Sequence, residues 1–197
     1  GYGLMNLNRS SEMLEKEQYF ISTVNQGNNN SHTITNIPAN TAQLKVMLYW
    51  HDPSASGLSA QSLVNDLDLT LTTPSASIIN PKILDNTPTN VENIATTGVD
   101  HINNMEQVVI NDPEPGNYTI RINGTSINQN SQQEYFIVYD IIPIGTNITF
   151  PFGGESVLPA ETILITWEDA STAASTYTIE ISTDDGNNWT SFQSNAG

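Results

Sequence analysis

Alternation of apolar and polar residues is the strongest pattern in the first two thirds of the chain. In 44–50, Leu44, Val46, Leu48 and Trp50 fall at every second position. Side chains alternate between the two faces of a strand, so this period predicts a strand with one buried face. About seven such strands predict an antiparallel β-sandwich in an all-β fold. The runs lie at 19–24, 32–37, 44–50, 63–71, 106–110, 118–122 and 134–142.

The segments around these strands carry helix, turn and loop signals. Residues 10–17 combine hydroxyl capping candidates, an early acid and good helix formers, and they predict one short helix. The turn-rich sequence QGNNNS separates 19–24 from 32–37, which predicts that these two strands form a hairpin. Three prolines and many Asn and Thr residues predict a loop with at most short strands over 73–104. A loop of that length in a compact domain is usually functional or held by a metal.

The chain changes character after residue 143. No Lys, Arg or His occurs beyond Arg121, and three further strand runs follow. An immunoglobulin-like or fibronectin-like sandwich needs roughly 100 residues, and 144–197 supplies about half of them. We therefore expect a second, incomplete Ig-like β module. Its strand runs lie at 162–167, 176–182 and 188–192.

A Ser-x-Asp-x-Gly-x-x-Trp sequence at 182–189 resembles the Asp-box hairpin of sialidase-type propellers. A propeller repeats this motif at regular intervals, and the chain carries it once. Asp185-Gly186 is also a strong turn signal between two alternating strands. We interpret the motif as a hairpin turn of the second module.

The run Leu-Val-Asn-Asp-Leu-Asp-Leu at 63–69 places two carboxylates in a strand, where aspartate is uncommon. A period of two puts Asp66 and Asp68 on the face opposite the leucines, roughly 6.6 Å apart along the strand. Two like charges at that spacing repel each other unless a cation or hydrogen-bond donors lie between them. Calcium is the cation that the pattern favours, because it takes oxygen ligands.

Charge and composition exclude several kinds of partner. Only 5 Lys and Arg residues stand against 21 Asp and Glu residues, a formal net charge of -16, so nucleic acid and anionic membranes are poor partners. No apolar run is long enough to insert into a membrane, and without cysteine there is neither a disulfide framework nor a thiolate metal site. The chain opens without a methionine or a signal peptide, so we expect an internal piece of a longer protein.

Several segments together resemble one family. In order and spacing they look like the β-sandwich that follows the catalytic domain in a group of bacterial subtilisin-like serine proteases. The Gly-x-Gly-x-x-Asn sequence at 1–6 and the helix after it resemble the end of that catalytic domain. The matching segments are LKVMLYWHDP at 44–53, SLVNDLDLTLTTP at 62–74, NVENI at 90–94 and EPGNYTIRI at 114–122.

The resemblance covers roughly 1–143 and implies a domain order. Residues 1–18 would be the remnant of the catalytic domain, and 19–143 a jelly-roll or proprotein-convertase-like sandwich that binds calcium. Residues 144–197 would be the partial Ig-like module. The implied function is that of a non-catalytic accessory region, in a secreted or surface protein of bacterial type. It would stabilise the upstream catalytic domain and aid access of a protein or polysaccharide substrate.

No catalytic triad is recognisable in the chain. The Gly-Thr-Ser nucleophile motif of subtilisins is absent, as are the signatures of their Asp and His. His32, His51 and His101 are the only imidazoles, and none has a nucleophile turn beside it. We expect the chain itself not to be an enzyme, whereas its parent protein would be a serine endopeptidase.

The calcium hypothesis gathers carboxylates around the acidic strand. Calcium takes six to eight oxygen ligands, and backbone carbonyls of a pinned loop can add to the carboxylates. In the alternative, Asp66 and Asp68 accept hydrogen bonds from loop amides or pair with Lys45 or Lys82, with no metal. No EF-hand loop is present to decide between the two. The predicted ligands are Asp52, Asp66, Asp68, Asp85 and Glu92.

Two other function classes stay open. Trp50, Tyr135 or Trp189 would support a glycan-binding or adhesive sandwich if they line a groove, because sugar rings stack on aromatic faces. An independent hydrolase would need a nucleophile motif that the sequence does not show.

Overall fold

The computed structural model describes residues 6–85, 87–151, 156, 158, 162–170 and 176–196. It is mostly β-strand, with antiparallel sheets and one short helix, so the prediction of an all-β sandwich is confirmed. Among the described residues, no helix is long and apolar enough to cross a membrane.

The helix α1 spans Leu7–Glu15 and is followed by fourteen strands in the described residues. The strands are β1 Tyr19–Asn25, β2 Asn29–Ile37, β3 Thr41–Trp50, β4 Asn65–Thr72, β5 Ile78–Ile79, β6 Lys82–Ile83, β7 Thr96–Thr97, β8 Met105–Asn111, β9 Gly116–Ile127, β10 Gln132–Pro143, β11 Thr146–Phe150, β12 Thr166–Asp169, β13 Tyr177–Ile181 and β14 Thr190–Ala196.

The chain divides into two compact units, Gly1–Pro143 and Ile144–Gly197. The first unit contains two four-stranded sheets, with strand orders β1-β10-β3-β8 and β2-β9-β4-β5. Alternate residues of both sheets form one core, as the period of two predicts. On β3, for example, Leu44, Val46, Leu48 and Trp50 are fully buried. Each of these side chains contributes about 1.5–3 kcal/mol by leaving water.

The predicted hairpin of β1 and β2 is wrong. β1 pairs with β10 in one sheet and β2 pairs with β9 in the other, so the turn at 25–28 crosses between the sheets. Gly27, with φ +72°, donates its N–H to Gly124 O at 2.8 Å, and Gly124 N–H donates to Asn28 O at 2.9 Å. Because the chain crosses between the sheets here, each strand buries one face against the shared core and pairs with a longer strand. A hairpin of β1 with β2 would not allow both.

The helix begins earlier than its hydroxyl residues suggest. Asn6 caps it by accepting a hydrogen bond from Arg9 N at 3.1 Å, and Ser10 Oγ donates back to Asn6 O at 2.8 Å. The Arg9 guanidinium pairs with Asp140 on β10 at 2.9 Å. The helix is thereby fastened to the first sheet.

In its described residues, the second unit contains two antiparallel strand pairs, β11 with β12 and β13 with β14. The Asp-box sequence forms the turn between β13 and β14, with positive φ at Asp185 and Gly186. The Asp184 carboxylate accepts hydrogen bonds from Ser182 Oγ and Asn188 N, both at 2.8 Å, so it serves this turn. That this unit is an incomplete Ig-like module stays a prediction.

Candidate metal centre

Asp66 and Asp68 lie on β4 next to an open strand edge. β5 pairs with β4 only at Leu71 and Thr72, so the first part of β4 has no strand on that side in the described structure. Leu67 and Leu69 point into the core, and the two aspartates share the opposite face, as predicted. Both carboxylates are largely covered although they lie on the outer face.

His101 covers this pair of carboxylates. It follows β7 in the long segment that was predicted as a loop with short strands, a prediction that the structure confirms. His101 Nδ1 lies 2.7 Å from Asp66 Oδ2 and 3.7 Å from Asp68 Oδ1. One ligand atom from each of the three residues lies within 4.8 Å of the others, which is the spacing of a metal site. We call Asp66, Asp68 and His101 the edge cluster.

Several oxygens around the edge cluster are buried without a hydrogen-bond donor. Asp66 Oδ1 and Asp68 Oδ1 have no hydrogen-bond partner, whereas Asp68 Oδ2 accepts one from Thr125 Oγ. A carboxylate oxygen that loses water without gaining a donor or a cation is unfavourable. The edge cluster therefore offers coordination capacity that the described protein atoms do not use.

Glu106 lies behind the cluster, on the core face of β8. It is 1 % exposed, and its Oε2 accepts a hydrogen bond from Leu69 N, at the open edge of β4, at 2.7 Å. Its other oxygen, Oε1, has no partner. Burial, with further contributions from Asp68, Asp100 and Asp66, raises the pKa of Glu106 to about 9, against the opposing effect of the Leu69 amide.

Burial and neighbouring charges also shift the pKa of Asp66. Burial raises the pKa of Asp66, and the charges of Asp68 and Asp100 add to this effect, whereas His101 opposes it. Asp100 accepts hydrogen bonds from Ile102 N at 2.8 Å and Asn103 N at 3.1 Å, so it shapes the turn that presents His101. Asp100 thus adds to the negative charge that Asp66 and Asp68 place around Glu106.

The other predicted ligands lie outside the edge cluster. Asp52 accepts hydrogen bonds from Val64 N at 2.9 Å and Asn65 N at 2.7 Å, so both of its oxygens hold the entry to β4. Asp85 accepts hydrogen bonds within its own turn, and these bonds lower the pKa of its carboxyl group. Glu92 is exposed in the same long segment. The structure brings together only Asp66 and Asp68 of the five, because the oxygens of Asp52 and Asp85 already accept local donors.

Sequence reasoning missed the partners that complete the site. From the sequence, His101 is considered only in the search for a catalytic triad, and Glu106 is placed only in a predicted strand. An acid at an inward position of an alternating strand was the one available signal for Glu106. In the described structure neither Lys45 nor Lys82 pairs with the aspartates, and His101 takes the position that was expected for a lysine.

The donor set suits a divalent cation. Two carboxylates supply hard, charged oxygens, and an imidazole supplies one nitrogen. The unpartnered oxygens and the surplus of negative charge are the observations that fit a bound metal.

Comparison with known proteins gives one distant similarity to report. No protein-family model matches the chain. A serine protease/ABC transporter B family protein, tagA, of Dictyostelium discoideum is 34 % identical over 107 residues, which are 53 % of this chain. The chain spans about 6 % of the length of that protein. This similarity and the all-β structure weakly fit a protease-associated β region.

Proposed function

We propose that the chain is a non-catalytic accessory β-sandwich region of a secreted or cell-surface subtilisin-like serine protease. It would stabilise the catalytic domain and aid access of protein or polysaccharide substrates. The observation that supports this role is the 34 % identity to a protein named as a serine protease, over half of the chain. The missing nucleophile motif supports a non-catalytic part.

A structural calcium ion belongs to this proposal. Asp66 and Asp68 would hold it through the oxygens that lack donors, and the ion would neutralise their mutual repulsion. The long segment before β8 would then be fixed to the edge of β4 in the cation-bound state. Removal of the ion would loosen this end of the sandwich.

The outer face of the first sheet is a suitable surface for the catalytic domain. Cross-strand register places its apolar side chains side by side: Tyr19 opposite Val138, Ile21 opposite Phe136, and Phe136 opposite Tyr49. Apolar patches of this kind on a sheet face are typical of interaction sites. The apolar side chains of the outer face are Tyr19, Ile21, Met47, Tyr49, Met105, Val109, Phe136 and Val138.

The helix α1 supports the choice of the catalytic domain as the partner for this face. Arg9 pairs with Asp140, which lies on the same side of β10 as Val138. Leu7 and Leu14 of the helix remain exposed. The occupant that we propose is therefore the catalytic domain on the N-terminal side of α1. A second copy of the chain is a poorer candidate, because both copies would carry the charge of -16.

The glycan-binding alternative loses two of its three aromatic residues. Trp50 and Tyr135 are fully buried in the core, so neither presents a ring face to a sugar. Trp189 is 60 % exposed, but its Nε1 donates to Gly186 O within its own turn.

The coding sequence directly upstream tests the proposed parent. It should encode the Asp, His and Ser motifs of a subtilisin-like protease, and an unrelated upstream sequence would overturn the proposal. The proposed surface is tested in that full-length protease with Ile21→Asp. We expect faster thermal inactivation of the protease, because the new charge would be buried against the catalytic domain.

Asn25→Asp is the matched control for the surface. Asn25 lies on the same strand and the same side as Ile21, outside the apolar patch, and its cross-strand partner is the uncharged Gln132. Ile21 is 56 % exposed, so Ile21→Asp should leave the melting temperature of the isolated chain nearly unchanged. Equal inactivation rates for the two variants would contradict the proposed surface.

A further inference from the structure

We propose that the edge cluster binds a divalent transition metal of the zinc class, with His101 Nδ1 as its nitrogen ligand, and that it prefers such a metal to calcium. This inference rests on the cation site in the proposed function and names the chemical class of the ion.

The position of His101 carries the inference. Its Nδ1 lies on the side of the two carboxylates, 2.7 Å from Asp66 Oδ2 and 3.7 Å from Asp68 Oδ1. Calcium takes oxygen ligands almost exclusively, whereas imidazole nitrogen suits zinc and its neighbours. A site with one imidazole and two carboxylates has three protein ligands, and water would complete a tetrahedral zinc site.

Glu106 provides an independent observation that points to a cation. Its carboxyl group is almost completely buried against the peptide that joins Asp68 to Leu69, and its Oε1 has no partner. The negative charges of Asp66, Asp68 and Asp100 reach the same carboxyl. An acidic group in this position would be paired with hydrogen-bond donors if the site served packing alone. A dication at the edge cluster would offset the negative charges of Asp66, Asp68 and Asp100 around this carboxyl.

The contacts within the edge cluster can rearrange to admit a metal ion. The His101 side chain is 55 % exposed, and its turn is held through Asp100 rather than through the imidazole. The hydrogen bond between Nδ1 and Asp66 can therefore be replaced by two bonds to one metal, without a change in the strands. The competing arrangement is a protonated His101 that itself serves as the cation, with no metal bound.

Calorimetric titration of the metal-stripped full chain with Zn²⁺ and with Ca²⁺ tests the inference. We expect one equivalent of Zn²⁺ to bind, at least about tenfold more tightly than Ca²⁺. His101→Ala should weaken Zn²⁺ binding by at least about 10–100-fold, because loss of a group that only supports a ligand already costs that much, and should leave Ca²⁺ binding within about threefold. His51→Ala is the matched control, because this exposed imidazole lies outside the cluster.

Each other outcome overturns the inference. If Zn²⁺ binds no more tightly than Ca²⁺, or if His101→Ala leaves Zn²⁺ binding intact, the metal is not of the proposed class, and the calcium proposal stands. Equal losses in His101→Ala and His51→Ala would indicate adventitious surface binding. Binding of neither ion would remove the cation site altogether, with the protease role still decided by the upstream coding sequence.

Co²⁺ substitution supplies a second readout. The visible spectrum of bound Co²⁺ should change in His101→Ala if the imidazole nitrogen is a ligand. An identical spectrum would place His101 outside the coordination sphere. Circular dichroism of His101→Ala checks that the fold is intact, which the exposure of this side chain favours.

Discussion

Asp52 and Asp66 illustrate how the same type of side chain takes different roles in one sandwich. Both oxygens of Asp52 accept backbone N–H groups at the start of β4, so its charge is satisfied locally. Asp66 Oδ1 has no donor, and the pKa of this carboxyl is raised by burial. The distinction between a structural acid and a candidate ligand lies in the neighbouring donors, and the sequence gives little information on those.

His32 lies in a hydrogen-bond network with Asn30 and Tyr135. Asn30 Nδ2 donates to Tyr135 OH at 3.0 Å, which leaves the hydroxyl proton for His32 Nε2 at 2.8 Å. The His32 ring also packs near Phe20, with 4.7 Å between ring centroids. Burial lowers the pKa of His32 from its usual value of 6.5.

The lowered pKa of His32 predicts a pH dependence of stability. The folded chain binds the His32 proton less readily than the unfolded chain, so the contribution of His32 is complete above about pH 6.5 and is lost as the pH falls through that value. Glu106, whose raised pKa acts in the opposite sense, is present in every variant, so the stability difference between the parent and His32→Gln isolates His32. In denaturant unfolding at several pH values from 7.5 to about 5, the free energy of unfolding of the parent should fall relative to that of His32→Gln as the pH falls. His51→Gln should follow the parent, and equal slopes in all three proteins would refute the assignment.

At the scale of elements, the crossing from β1 to β2 joins the two sheets. Gly124 on β9 lies against this crossing, and a Cβ at Gly124 would come within 2.5 Å of Asn25 O. Gly27 has a positive φ, but a Cβ there would meet no atom within 4 Å. A substitution at Gly124 therefore tests a steric clash, and a substitution at Gly27 tests an unfavourable backbone conformation, both at the same crossing.

We predict that Gly124→Ala destabilises the chain more than Gly27→Ala. The first substitution forces backbone atoms apart, at a cost of about 3 kcal/mol in the free energy of unfolding. The second places an alanine in the left-handed region, at a cost of about 1 kcal/mol. Chemical denaturation of both variants measures the difference. The reverse order would show that the crossing is not packed as described.

The elements also show how far sequence reasoning reaches. Alternation alone assigned the buried faces of β3 and β4, because side-chain direction in a strand is a local property. The residues of the turn at 25–28 suit both a hairpin and a crossing between sheets. Pairing with the distant strands β9 and β10 decides between the two. Asp66 meets His101 at a separation of 35 residues, and Leu69 meets Glu106 at 37, so neither contact has a local signal.

At the scale of the whole molecule, the chain divides into two compact units, Gly1–Pro143 and Ile144–Gly197. The buried core cluster of the sandwich runs from Val24 to Ile137 and draws only on the first unit. The second unit has two separate strand pairs, and many of its large apolar side chains are exposed, among them Ile148, Ile181 and Phe192.

We predict that a chain ending at Pro143 folds without the second unit. Its core is complete, so its thermal unfolding should be cooperative. Near-ultraviolet circular dichroism should show Trp50, Tyr118 and Tyr135 in a fixed environment, because all three are buried. A broad transition with strong dye binding would instead indicate a molten state and would contradict the independence of the sandwich.

The central claim is that a divalent cation at Asp66 and Asp68 stabilises the sandwich, and calorimetric melting of the metal-stripped chain tests it most directly. A saturating cation, at about 100 times its dissociation constant, should add about 2.7 kcal/mol, a rise of several degrees in the melting temperature. Asp68→Asn should abolish this rise and should melt no lower than the parent without metal, because one of two repelling charges is gone. Identical melting temperatures with and without the cation in the parent chain would contradict the account.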